Sequence, residues 1–156
     1  MDKNEKHKIK SQKLKEKVDA KIEKATIERG IIIVITGDGK GKSTSGFGTV
    51  TRCVGHGYKA AAVQFIKGQW DCGERNVLEK LGVPFAIMNT GFTWNTQDRE
   101  GDIKAATEVW EQAKVYLKDP EYRVVLLDEM TYMLGYDYLD KEEVLQALKD
   151  RPENQT

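Results

Sequence analysis

The chain has 156 residues, 39% of them hydrophobic and 32% charged, with 25 Lys/Arg balancing 25 Asp/Glu, which leaves room for one ordinary domain with a real core and not for two. A net charge of zero gives no global attraction to nucleic acid or to anionic membranes, and no run approaches the roughly 20 apolar residues that a membrane span needs. Two cysteines without metal-type spacing, Cys53 and Cys72, read as reduced thiols of a cytoplasmic protein, and the lysine-rich start has no apolar run behind it and so is no secretory signal.

Residues 1–29 read as an N-terminal helix or arm, separate from a nucleotide-binding domain over 30–156. The first 30 residues hold ten Lys/Arg against six Asp/Glu, a bias that a solvated helix face explains. Lys6 to Glu28 has no Gly or Pro, and Leu14, Val18, Ile22 and Ala25 fall at helical spacing. So narrow an apolar stripe predicts one long helix that lies on the domain or on a partner chain.

Ile31 to Thr36 is a continuous β-branched run, the pattern of a strand buried on both faces. It leads into Gly37-Asp38-Gly39-Lys40-Gly41-Lys42-Ser43-Thr44, with a helix expected to about Gly55. Strands are expected at Ala60–Phe65 and Val83–Met88, with a short helix between them at Glu74–Leu81. Asn89 to Gln97 has no period and carries Phe92 and Trp94. Ile103, Ala106, Trp110, Ala113 and Leu117 share one helical face that Asp119-Pro120 closes. Val124 to Leu127 reads as a buried strand ending in Asp128-Glu129, and Lys141 to Lys149 as a last helix before Arg151-Pro152. The alternation predicts an α/β fold, a mainly parallel sheet flanked by helices in the manner of P-loop NTPases. It ends after a helix where another strand would be expected, so a C-terminal strand is missing from the pattern.

Strand, glycine-rich turn, Lys-Ser and helix together make an anion cradle. Glycines let successive backbone N–H groups converge on phosphate oxygens, and the helix adds its positive end. Lys42 can reach those oxygens as a point charge, and the Ser43 hydroxyl can ligate Mg²⁺. The usual spacing is G-x-x-x-x-G-K-[ST]; here Thr36 holds the first glycine position and Gly37 comes one step late. Asp128 and Glu129, closing a buried strand, are the expected metal-associated carboxylates and, with Lys42, the expected catalytic groups. No Ser-His-Asp arrangement and no activated cysteine stands out, so the nucleophile is expected to arrive with a second substrate.

The run Arg29 to Thr44 resembles the opening of the ATP:corrinoid adenosyltransferases of the bacterial cobalamin pathway. Further blocks agree: Arg52-Cys53-Val54-Gly55-His56-Gly57, Gln64-Phe65-Ile66-Lys67-Gly68 with Gly73-Glu74-Arg75-Asn76, Thr90-Gly91-Phe92-Thr93-Trp94, and Leu126-Leu127-Asp128-Glu129-Met130-Thr131-Tyr132. The resemblance implies an enzyme that transfers the 5′-deoxyadenosyl group of ATP to the Co(I) centre of a reduced corrinoid and releases triphosphate. It implies that Gly37 to Thr44 hold the triphosphate, that Ser43, Asp128 and Glu129 serve Mg²⁺, and that Phe92 and Trp94 lie against the corrin. It also implies a homodimer, an electron-donating flavoprotein or similar reductase as partner, and an N-terminal helix folded over the active site. Members of that family usually continue beyond a point matching Thr156. A small-molecule kinase or NTPase on the same fold, or a non-catalytic nucleotide- or corrinoid-binding module, would share the phosphate loop but would not explain Thr90 to Trp94.

Overall fold

A computed structural model describes residues 2–66, 71–88 and 98–156. Its sheet has three parallel strands in the order β2-β1-β3: β1 is Lys59–Gln64, β2 Phe85–Ile87 and β3 Tyr122–Asp128. The small residues Ala60, Ala61 and Ala62 let β1 run through the middle with layers on both faces, and all three are at most 2% exposed. Register partners share a face. Ala62 stands opposite Phe85 and Leu126, and Gln64 opposite Ile87 and Asp128.

Two helices cover the two faces. Helix α2, Lys42–Gly55, buries Phe47, Val50 and Cys53 against Ala60, Ala62, Phe85 and Leu126. Between β1 and β2 runs α3, Gly73–Lys80, whose Leu78 is buried in the same cluster. On the other face lies α4, Arg99–Lys118, capped by Asp98, whose side chain accepts from the Gly101 amide at 3.0 Å. Of the predicted stripe, Ala106, Trp110, Ala113 and Leu117 are buried and Ile103 is half-buried, while Asp102 and Val109 are buried as well. Val63, Phe65 and Met88 pack against it. Two short helices follow β3: α5, Met130–Gly135, and α6, Lys141–Lys149, the latter capped by Asp140. The predicted strands 60–65 and 124–127 and the helices 74–81 and 141–149 are present within a residue or two at most ends, while the strand expected over 83–88 shortens to three residues.

One expectation is narrowed and one needs correction. Helix α1, Lys3–Lys24, forms as expected, and since none of its residues is buried, Leu14, Val18 and Ile22 do not lie on this domain, which leaves a partner chain of the two expected covers. The run Ile31 to Thr36 is not a strand, and its five aliphatic residues are 40% to 70% exposed. The reason lies at the edge of β3. Thr156 donates its amide to Arg123 O at 2.9 Å and accepts from Val125 N at 2.8 Å, a parallel ladder step opposite Val124. Its hydroxyl accepts from Ile31 N at 3.1 Å. Thr156 therefore stands between β3 and Ile31 at the start of the run. Gly30 makes this close approach possible: its amide reaches Glu153 O at 2.7 Å, and a β-carbon there would collide with the Gln155 backbone. Gln155 itself is buried, its Nε2 shared among Tyr116 O, Asp119 O and Tyr122 O at 3.0 to 3.1 Å.

Candidate phosphate and metal site

Gly37 and Gly41 adopt φ of +117° and +99°, values that a side chain would strain, and bracket the loop before α2. Open space surrounds Gly37, Gly39 and Gly41 where β-carbons would be, the clearance a ligand needs to meet backbone amides. Lys42 folds back over the loop, and its ammonium donates to Gly37 O at 2.7 Å and Gly39 O at 2.6 Å. Asp38, Lys40 and Thr44 are exposed, and Ser43 is half-buried in the first turn of α2.

The packing of α2 sets which strand ends this loop meets. Its last turn sits at the start of β1, where the Cys53 thiol contacts Lys59 O at 3.6 Å. Midway, the Phe47 and Phe85 rings stack with centroids 6.2 Å apart. At Gly46 the helix presses on Leu126, whose Cδ1 would lie 2.7 Å from an added β-carbon. The helix thus runs against the strand direction, and one further turn brings Ser43 towards the C-terminal ends of β1 and β3. Asp128 lies two residues beyond Leu126, on the same face by alternation, and is 7% exposed. Glu129 follows as the first residue beyond the strand, half-buried, with a left-handed backbone at φ 65° and ψ 16°.

Lys42, Ser43 and Asp128 are thus brought to one end of one sheet face, with Glu129 at the turn beside them. A hydroxyl, a carboxylate and nucleotide phosphates suit Mg²⁺, which keeps waters and takes few protein ligands. Among the described residues no group of three or more His, Cys, Asp and Glu gathers into a metal cage. Phe92 and Trp94 lie outside the described residues.

Two features escaped the sequence reading. Gln64 closes β1 beside Asp128, is 1% exposed, and its Oε1 is buried with no hydrogen-bond partner. A row of tyrosines leads away from Glu129, with ring centroids 5.9 Å apart for Tyr132 and Tyr136 and 5.5 Å for Tyr136 and Tyr138. The Arg99 guanidinium caps it 5.8 Å over the Tyr138 ring. Burial, and then the Asp102 carboxylate that its hydroxyl meets at 3.4 Å, push the Tyr138 phenol up. Neither feature has a sequence spacing that would announce it. Burial pushes the Cys53 thiol up, against the lowering influence of Arg123.

Comparison with known proteins agrees with this geometry. The family model for the ATP:corrinoid adenosyltransferases BtuR/CobO/CobP matches residues 28–156. A corrinoid adenosyltransferase of Escherichia coli K12 is 59% identical over 98% of this chain and 78% of its own length. The corrinoid adenosyltransferase CobA of Salmonella typhimurium is 55% identical over the same shares, and one from Pseudomonas aeruginosa is 42% identical over 97% of this chain and 75% of its own. With a family match over 129 consecutive residues (28 to 156) that contain the loop and the acidic strand end, the chain belongs to the ATP:corrinoid adenosyltransferase family.

Proposed function

We propose that the chain transfers the 5′-deoxyadenosyl group of ATP to the cobalt of a reduced corrinoid within the domain 30–156. The observation that carries this reading is the lysine-bearing loop placed against the carboxylate end of β3, in a chain of this family. The Co(I) electron pair forms the new bond to the ribose C5′, the C5′–O bond breaks, and triphosphate leaves with that bond's electrons. A reductase of the flavoprotein kind supplies the electron that brings cobalt to Co(I).

The protein's task is to hold a leaving group. Backbone amides of Gly37 to Thr44 bind the triphosphate, and Lys42 leaves its two carbonyls to meet the charge that grows on it. Ser43, Asp128 and Glu129 would hold Mg²⁺, which neutralises the same charge when bound. Phe92 and Trp94 face the corrin in this reading, and α1, with its stripe exposed, covers the site or a second copy in a cytoplasmic homodimer.

Purified protein with ATP, Mg²⁺ and a chemically reduced corrinoid, kept anaerobic, is expected to release triphosphate and form a light-sensitive Co–C bond. Lys42→Ala is expected to slow this about 10²- to 10³-fold, the usual loss when one preorganised donor is removed. Release of ADP without corrinoid would instead identify a kinase or NTPase, and binding without turnover a carrier.

A further inference from the structure

Gln64, like Gln155, buries an amide oxygen for which the described residues offer no donor. Its backbone is fully used: its carbonyl accepts from Met88 N at 2.9 Å, and its register partners are Ile87 and Asp128. By alternation its side chain leaves the sheet on the same face as Ala60 and Ala62, the face that α2 covers. There it is 1% exposed, with Oε1 buried and without a donor among the described residues. A buried acceptor left unsatisfied is destabilising, and a leucine or methionine of like volume would avoid that penalty. The position beside Asp128, one helical turn beyond the Gly46–Leu126 contact, is where a ligand bearing donors is expected.

We propose that Gln64 is a positioning residue for the metal–triphosphate complex, its amide oxygen accepting a hydrogen bond from a water in the shell of the divalent cation held by Ser43 and Asp128. The inference rests on the adenosyltransferase reading of this site. Water on a dication is a strong donor, and a neutral amide oxygen takes its hydrogen bond without adding a charge to a site that already holds Asp128 and Glu129. An apolar core face would otherwise reach to the strand end, so the amide marks where the core stops and the wet shell of the ion begins. An outer contact of this kind would help hold a divalent cation in place on Ser43 and Asp128.

The test uses Mn²⁺ as a spectroscopic stand-in for Mg²⁺, titrated into protein and ATP without corrinoid and followed by electron paramagnetic resonance. Thermal unfolding of the ligand-free protein is measured in parallel. Gln64→Met is expected to weaken Mn²⁺ binding about 10-fold or more, as loss of an outer-shell partner does, and to raise the ligand-free Tm, because the orphaned acceptor is gone. Gln64→Glu keeps an acceptor in place and is expected to hold or tighten Mn²⁺, which also serves if the methionine variant does not fold. Unchanged Mn²⁺ affinity in both variants would overturn the proposal while leaving the adenosyltransferase reading intact. A lowered Tm at unchanged affinity would make Gln64 a packing residue and also overturn it. Wild-type protein that binds no Mn²⁺ with ATP would remove the proposal together with the metal assignment.

Discussion

Glu129 shows how a single residue can carry a local conflict. Its left-handed backbone, at φ 65° and ψ 16°, disfavours an L side chain by roughly 1–2 kcal/mol. A site under selection for stability alone would place glycine or asparagine there. Glu129→Gly is therefore expected to leave the unfolding free energy from urea titration unchanged or raise it by up to about 1 kcal/mol, the relief being partly offset by the entropy glycine adds to the unfolded chain. Adenosyl transfer by the same variant is expected to fall at least about tenfold if the carboxylate serves the metal. A clear loss of stability would show that the Glu129 side chain is kept for packing. The position of Asp128 and Glu129 at a strand end was legible because two acids closing an aliphatic run are conspicuous. Gln64 was expected only as part of the strand 60–65, and its burial depends on β2, β3 and α2, all distant in sequence.

At the scale of elements, α4 and α6 are joined through one carboxylate. Glu143 accepts from Lys114 Nζ at 2.7 Å and from Trp110 Nε1 at 3.0 Å. The Lys114 hydrogen bond, and then that of Trp110, hold its carboxyl below the usual carboxylate value. A folded-state pKa below the unfolded one means that the stabilisation is complete above the ordinary carboxylate range and is lost as pH falls through the lowered value. Both charged groups are partly open to solvent, so Glu143→Gln is expected to lower stability at neutral pH by only about 1 kcal/mol. Unfolding midpoints of wild type and variant should converge as the solution is acidified below that range, and a gap that persists there would place the effect in packing. The helices themselves were readable because period and caps are local: Asp98 and Asp140 each accept from an amide three residues on. The run Ile31 to Ile35 was misread because strand composition is not strand structure. A ladder needs a neighbouring edge, and the edge of β3 is met by Thr156.

For the whole molecule, five consecutive aliphatic residues, Ile31 to Ile35, are exposed. Contiguous apolar surface is what chains use to pair with each other. Sedimentation velocity is expected to show association that grows with concentration, and Ile33→Lys is expected to move its midpoint at least roughly tenfold higher, the order expected when one buried isoleucine is lost. If both proteins sediment alike at every concentration, the run is not the adhesive surface. The α/β class and the placement of the phosphate loop against β3 were both legible at this scale, since alternation of strands and helices admits few arrangements. The exposure of α1 was not, because a stripe announces that a helix wants cover and not what supplies it.

The posture of Lys42 bears on what the loop will accept. An ammonium already engaged by Gly37 and Gly39 gives up two carbonyl contacts before it can serve an incoming anion. A lone orthophosphate returns little for that exchange, whereas a chain of three linked phosphoryl groups meets the cation, the converging amides and a bridging dication together. On the proposed reading, that exchange tilts the site towards long polyanions and away from the small ones that crowd a cell.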